Sequence, residues 1–303
     1  MDDEPRDLAM LPKAHLHLHL EAGMRPSTLA SLAAKYDRPV PLARGYESFA
    51  AFIETYMAAT DVLRERADWE RLADELLADH VAEGAVYVEL IFDPIPFRSR
   101  FATEAECWAL IFDVFDEAAE RHGLSVGWMP GIDRVLRDAQ SSNELAEFAV
   151  AHRHRGIVSF GLHGDEVGNP PSKYVEPVRI AREGGLQITP HLGELDRGDH
   201  VASALDLLRP TRILHGVRST EVPGLVERLA SEGVYLDVCP TSNLMIELFD
   251  SYAVHPLPAL LDAGVRCSVN ADDPLMSGST LLEEYELCRR EFGLTSLVGP
   301  ARL

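Results

Sequence analysis

One grammar repeats along this chain: a helix-like stretch of roughly 10–20 residues, a glycine, then a short run rich in valine, isoleucine and leucine. The glycines of Glu83-Gly84, His122-Gly123, Arg155-Gly156, Gly184-Gly185, Glu232-Gly233 and Ala263-Gly264 stand where a chain leaving a helix needs a left-handed residue. The runs around them read as eight strands, at 15–20, 86–92, 124–129, 157–162, 187–191, 212–215, 234–238 and 266–270. Near-continuous apolar strands alternating with helices call for a parallel sheet covered by helices, and eight units suit a closed (β/α)8 TIM barrel. A doubly wound open sheet is the other fold that such alternation permits. No linker or low-complexity segment divides the chain, and residues 45–82 read as extra helices between strands one and two. Tyr46, Phe49, Phe52, Tyr56 and Met57 form an apolar stripe there, a packing face from which one or two residues line a pocket mouth.

The first strand carries chemistry. In Lys13-Ala-His-Leu-His-Leu-His-Leu20, histidine and leucine alternate strictly, the period-two pattern of a strand with one polar and one apolar face. His17 and His19 therefore point the same way, close enough to share one ion, while His15 lies deeper and reads as structural. Taken alone, the pair is equally a pair of hydrogen-bonded core histidines.

Composition bounds the partners. The 303 residues are 46% hydrophobic and 25% charged, with 28 Lys and Arg against 49 Asp and Glu, a formal charge of −21. Such a surface repels phosphate backbones and anionic lipid, so neither nucleic acid nor membrane is an expected partner. The acidic Met1-Asp-Asp-Glu-Pro start has no apolar signal-peptide core, and the four cysteines, Cys107, Cys239, Cys267 and Cys288, show no paired spacing. A cytoplasmic protein with buried thiols is expected.

Further polar clusters fall at the C-terminal ends of later strands, where barrel enzymes build their sites. They are Thr189-Pro-His-Leu-Gly-Glu194, His215-Gly216 and Asn270-Ala-Asp-Asp-Pro274. Singly, each histidine reads as a satisfied core residue and Asp272-Asp273-Pro274 as a helix cap. Together, adjacent carboxylates near Glu194 repel unless a cation or a shared proton offsets them. Imidazole with carboxylate suits zinc or a similar divalent ion, so His17, His19, His191 and Asp272 are read as ligands, Glu194 as a proton donor, and His215 as the group that orients or deprotonates water.

These segments, with Val238-Cys-Pro-Thr-Ser-Asn243, resemble the adenosine deaminase family in order and separation over nearly the whole chain. The resemblance implies a single metal-dependent (β/α)8 deaminase domain over residues 1–303, with one zinc per chain on His17, His19, His191 and Asp272. It implies that metal-bound hydroxide adds to C6 of an aminopurine and ammonia leaves. Glu194 then serves N1, His215 the water, Asp273 N7, and Gly164 N3. A methylthioadenosine, an aminodeoxyfutalosine or another aminated ring is the alternative substrate. The family's Asp-Gly or Glu-Gly after the first-strand histidines is Glu21-Ala22-Gly23 here, a carboxylate expected near the ribose 5′ group. Leu192 stands for an alanine, Leu214 for a glycine, and His163 precedes Gly164, all three expected near the pocket. Asp165 and Glu166 read as solvated or capping, Cys239 as scaffold, and His122, His152, His154, His200 and His255 as surface residues. The chain ends at Leu303, earlier than relatives with helices beyond the eighth unit.

Two rivals remain. A binuclear barrel hydrolase needs a lysine at the end of strand four, and Lys13, Lys35 and Lys173, the chain's lysines, are elsewhere. A non-catalytic binding barrel has no need of Glu194 and His215 beside intact ligands.

Overall fold

A computed structural model describes residues 7–40, 46 and 49–294. The strands are β1 (Lys13–His19), β2 (Ala85–Phe92), β3 (Ser125–Asp133), β4 (Ser159–His163), β5 (Gln187–Ile188), β6 (His191–Leu192), β7 (Arg212–His215), β8 (Tyr235–Val238) and β9 (Cys267–Val269). The helices are α1 (Pro26–Lys35), α2 (Phe49–Thr60), α3 (Arg66–Ala82), α4 (Glu104–His122), α5 (Ala139–Ala151), α6 (Val175–Glu183), α7 (Asp199–Leu207), α8 (Leu225–Glu232), α9 (Pro240–Met245), α10 (Leu257–Asp262), α11 (Pro274–Ser277) and α12 (Leu281–Phe292). The extra helices before β2 are α1 and α2, so the insertion begins well before the expected Gly45, which lies outside the described residues. The two chain ends, 1–6 and 295–303, also lie outside them.

Every strand pairing is parallel, in the order β1 to β5 and β6 to β9. β5 and β6 are two halves of one barrel strand, parted at Thr189-Pro190, because proline has no N–H for the ladder. Thr189 N–H still donates to Phe160 O at 3.0 Å on one side, and Leu214 N–H to Pro190 O at 3.0 Å on the other. The circle closes beyond β9: His19 N–H donates to Asp272 O, and Asp272 N–H to His17 O, each at 3.1 Å. The fold is the expected (β/α)8 barrel, and the open-sheet alternative falls away.

β1 is buried on both faces. Leu18, and Leu20 just past its end, join the large core between strands and helices, while His15 and His17 fill the barrel interior. Inside, alternate residues stack in layers. Glu89 accepts from Ser159 and Arg212, whose Nε also lies 3.4 Å from Asp237. Two residues further along β2 and β7, Ile91 and Leu214 meet Met129 in a small apolar layer. The next inward position, just past the end of β2, is Asp93, which lines the mouth. At the opposite end, Gly84 has φ +81°, and a Cβ there would lie 2.2 Å from Ala9 O, so only glycine makes that turn. No described helix is long and apolar enough to cross a membrane.

Candidate active site

Four strand ends bring five ligand-type side chains together. His17 Nε2 lies 3.1 Å from His191 Nε2 and 3.0 Å from Asp272 Oδ1. His19 Nε2 lies 3.2 Å from His191 Nε2 and 3.5 Å from the same Asp272 oxygen. Bond lengths of about 2.0–2.1 Å in a tetrahedral zinc site put neighbouring ligand atoms about 3.3 Å apart, so these separations fit such an ion. His17 Nδ1 donates to Asp237 O at 3.2 Å and His191 Nδ1 to Leu162 O at 2.7 Å, which leaves both Nε2 lone pairs facing the cluster. Asp272 Oδ2 accepts from Ser242 Oγ at 2.6 Å, whereas its buried Oδ1 has no hydrogen-bond donor. Several converging lone pairs and a carboxylate oxygen without a donor are what a divalent cation requires.

His215 is the fifth group. The ligand atoms of His17, His191, His215 and Asp272 all lie within 4.8 Å of one another, and His19 groups with Asp272 and Asp273. The separation of His215 from the ligands, expected from sequence, is thus not a matter of distance. Burial and the neighbouring imidazoles push His19 and His215 each down to about 3 and His191 well below its ordinary value, so these rings are neutral. Asp272 and His215 adopt left-handed backbone, with φ +61° and +65°.

The carboxylates behave oppositely. Glu194, three residues past His191, lies with Oε1 3.3 Å from His215 Nε2. Burial, then the charges of Asp272 and Glu166, raise its pKa well above the carboxylate range. Asp273 is raised in the same way by burial, Asp272, Glu194 and Glu21. Burial lifts Glu21 to about 7, although Tyr56 donates its hydroxyl to it at 2.7 Å.

Around these groups opens a cavity of about 820 Å³ that includes every residue assigned to the site from sequence except the wholly buried His17. Eight carboxylates line it, and no lysine or arginine among the described residues does. Gly164, at φ +78°, forms part of the wall. Phe49, Phe52, Tyr56 and Met57 of α2 all line it, more of that helix than its apolar stripe suggested.

Several expectations need correction. Leu192 and Leu214 are fully buried and do not line the cavity: Leu192 joins the core between strands and helices, and Leu214 lies in the interior layer with Met129 and the cavity-lining Ile91. Of the two readings of Glu166, solvated or capping, the second holds: it is 2% exposed, and its carboxylate accepts from the backbone N–H groups of Gly193, Glu194, Leu195 and Asp196 at 2.9–3.2 Å. His255 is not a surface residue: it is 4% exposed and hydrogen-bonded to Asn243. Cys239, with no histidine nearby in sequence, lies 3.3 Å from His17 Nδ1, yet burial pushes its thiol far up and leaves it inert. His15 stays structural, with Nδ1 2.8 Å from His80 Nε2.

His163 lines the cavity 3.2 Å from Gly131 O and 3.9 Å from Asp93. Asp93 was not foreseen. Burial alone would raise it, but His163 and Arg137 outweigh burial and hold it at about 2. Arg137 is tied down by Asp93 and Glu104, so its charge stays behind the wall.

A parallel barrel with an imidazole and carboxylate cluster at the C-terminal ends of its strands defines a metal-dependent hydrolase. The sequence profile described as Adenosine deaminase matches residues 12–297, and the chain belongs to that family of metal-dependent hydrolytic deaminases. It is 37% identical to a putative adenosine/adenine deaminase of Streptomyces virginiae, over 97% of this chain and 89% of that protein. The adenine deaminase structure from Arthrobacter aurescens superposes with TM-score 0.86 at 29% identity, over 96% of this chain and 95% of that one. An amidohydrolase from Burkholderia ambifaria with bound zinc superposes with TM-score 0.85 at 26% identity, over 95% and 82%.

Proposed function

We propose that this chain is a zinc-dependent deaminase of an uncharged 6-aminopurine, nucleoside or free base, acting as one cytoplasmic domain over residues 1–303. The observation that carries the reading is the convergence of ligand atoms beside the proton-holding Glu194, in a cavity lined by carboxylates and, among the described residues, by no lysine or arginine. One zinc on His17, His19, His191 and Asp272 would acidify water and so supply a nucleophile at neutral pH. Glu194 keeps its proton for N1, which draws electrons from C6 as the new C6–O bond forms. Asp273, also protonated, donates to N7, and Gly164 meets N3. His215 faces the attacking water. The proton of the new C6 hydroxyl then passes to the amine, the C6–N bond breaks, and ammonia departs to leave C6=O. Glu21, near half-ionised at neutral pH, faces the side of the ring that carries the sugar.

The relatives' names support adenine or adenosine as the ring. The apolar mouth, where Val135 is 65% and Val167 58% exposed, favours a second reading in which an adenosine carries an apolar 5′ group such as methylthio. Ammonia release from adenine, adenosine, methylthioadenosine, AMP and ATP, measured with the zinc-loaded chain, separates these. An uncharged aminopurine is expected to turn over, and AMP and ATP poorly, since the described wall holds carboxylates and no lysine or arginine to meet a phosphate. Efficient turnover of AMP would overturn the charge argument. No release from any aminopurine, with the metal bound, would move the reaction to another ring system.

A further inference from the structure

Behind His215 runs a buried file of polar groups that the reaction does not touch. Asn243 Nδ2 lies 3.1 Å from His215 Nδ1, Asn243 Oδ1 lies 3.2 Å from His255 Nε2, and Leu257 N lies 3.2 Å from His255 Nδ1. The order of donors in this file is set at its far end. A backbone N–H only donates, so His255 Nδ1 accepts from Leu257. Burial keeps His255 neutral, at about 4, and a neutral imidazole whose Nδ1 accepts carries its proton on Nε2. That proton goes to the Asn243 oxygen, which turns the Asn243 NH2 group toward His215. The reverse orientation of the amide would leave His255 with two accepting nitrogens and no proton to place. His215 Nδ1 therefore accepts, and its own proton sits on Nε2.

We infer that His255 and Asn243 are positioning residues that lock His215 as the Nε2–H tautomer, so that His215 donates a hydrogen bond into the site and does not ligate the metal. That Nε2–H faces Glu194 Oε1 at 3.3 Å and Asp272 Oδ2 at 3.7 Å. His17 and His191 are wired the opposite way, with Nδ1 donating to Asp237 O and Leu162 O and Nε2 bare. Wiring, not distance, thus separates His17 and His191 from a ring that lies among them. A donor at this position holds the incoming oxygen and orients its lone pair toward the ring, which a base at the same place would not do. What His215 faces rests on the deaminase reading; its tautomer does not.

The test is the ring-nitrogen NMR of histidines in the full, zinc-loaded chain labelled with nitrogen-15, with His215 assigned by its loss in His215→Gln. The expected result is a bare Nδ1 and a protonated Nε2 on His215, unchanged when zinc is added. A proton on Nδ1, or a metal shift on Nε2, overturns the inference. His255→Phe, packed between the rings of Phe249 and Phe292, removes the lock. It should lower kcat roughly 10- to 100-fold with KM and zinc content unchanged, and mix the His215 tautomers. His255→Gln, whose amide can still donate to Asn243, should restore most of the rate. An unchanged kcat in His255→Phe, or no rescue by His255→Gln, overturns the positioning role. If the expected tautomer is found but the wild-type chain releases ammonia from no aminopurine, the inference stands and the deaminase reading falls.

Discussion

In the proposed reaction Glu194 is useful only while it keeps its proton, and its surroundings favour that form. Because burial and like charge raise its pKa, the acid form is present below the shifted value and is lost as pH rises through it. The alkaline limb of kcat/KM should therefore belong to Glu194. Glu194→Gln should cut turnover by roughly 100-fold or more and flatten that limb while zinc stays bound, checked by a pH–rate profile beside metal analysis. Retained activity would remove Glu194 from the chemistry. Alanine at His17, His19, His191 or Asp272 should instead empty the site, read as metal per chain. The residues carrying these predictions were legible in sequence because each lies at a strand end in a short polar cluster. Glu166, Asp93 and His255 were not, since their partners lie elsewhere: Asp93 meets Arg137, 44 residues away, and Glu166 meets Gly193, 27 residues away. Local sequence holds no trace of such pairs.

Among the elements, strands and helices were readable from apolar runs and the glycines between them, because that pattern is local. The break of the fifth strand at Pro190 was written in the sequence, yet its outcome depends on neighbours that keep both halves in one barrel wall. The loop after β6 shows the opposite case. It has no regular structure to hold it, and a single carboxylate, Glu166, gathers four of its N–H groups. At α12, Glu284 accepts from Thr241 N–H at 3.2 Å, and burial raises its pKa to about 7. The folded chain then holds a proton that the unfolded chain gives up near its ordinary value of 4.5, so this contribution to stability is full at acid pH and is lost as pH rises through about 7. Glu284→Gln should escape that loss. Relative to wild type it should be more stable at about pH 8 than at about pH 5, by up to roughly 3 kcal/mol, in urea unfolding at the two values. Equal differences at both pH values would show that Glu284 does not titrate in the folded chain.

For the whole molecule, the excess of acidic residues read from composition reappears in the cavity wall, where it counts against phosphate-bearing substrates. Composition alone did not say that Arg137 is spent on carboxylates behind that wall, or that the buried Arg134 donates to the carbonyls of Gly164 and His191. The barrel's seam has a further consequence. The first strand and the stretch after the last are stitched by only two backbone hydrogen bonds among the described residues, at His17, His19 and Asp272, the same residues that offer their side chains to the ion. An ion held there would act as a clasp, joining the two ends of the cylinder across that seam. Removing it should loosen the cylinder at that line first. Hydrogen exchange should then speed up at the His19 and Asp272 amides on chelation while the β2–β3 ladder stays protected, and zinc should restore the slow rates. A uniform loss of protection would mean that the ion steadies the whole cylinder and not its seam. On this view the atom that would power the chemistry is also the buckle of the fold.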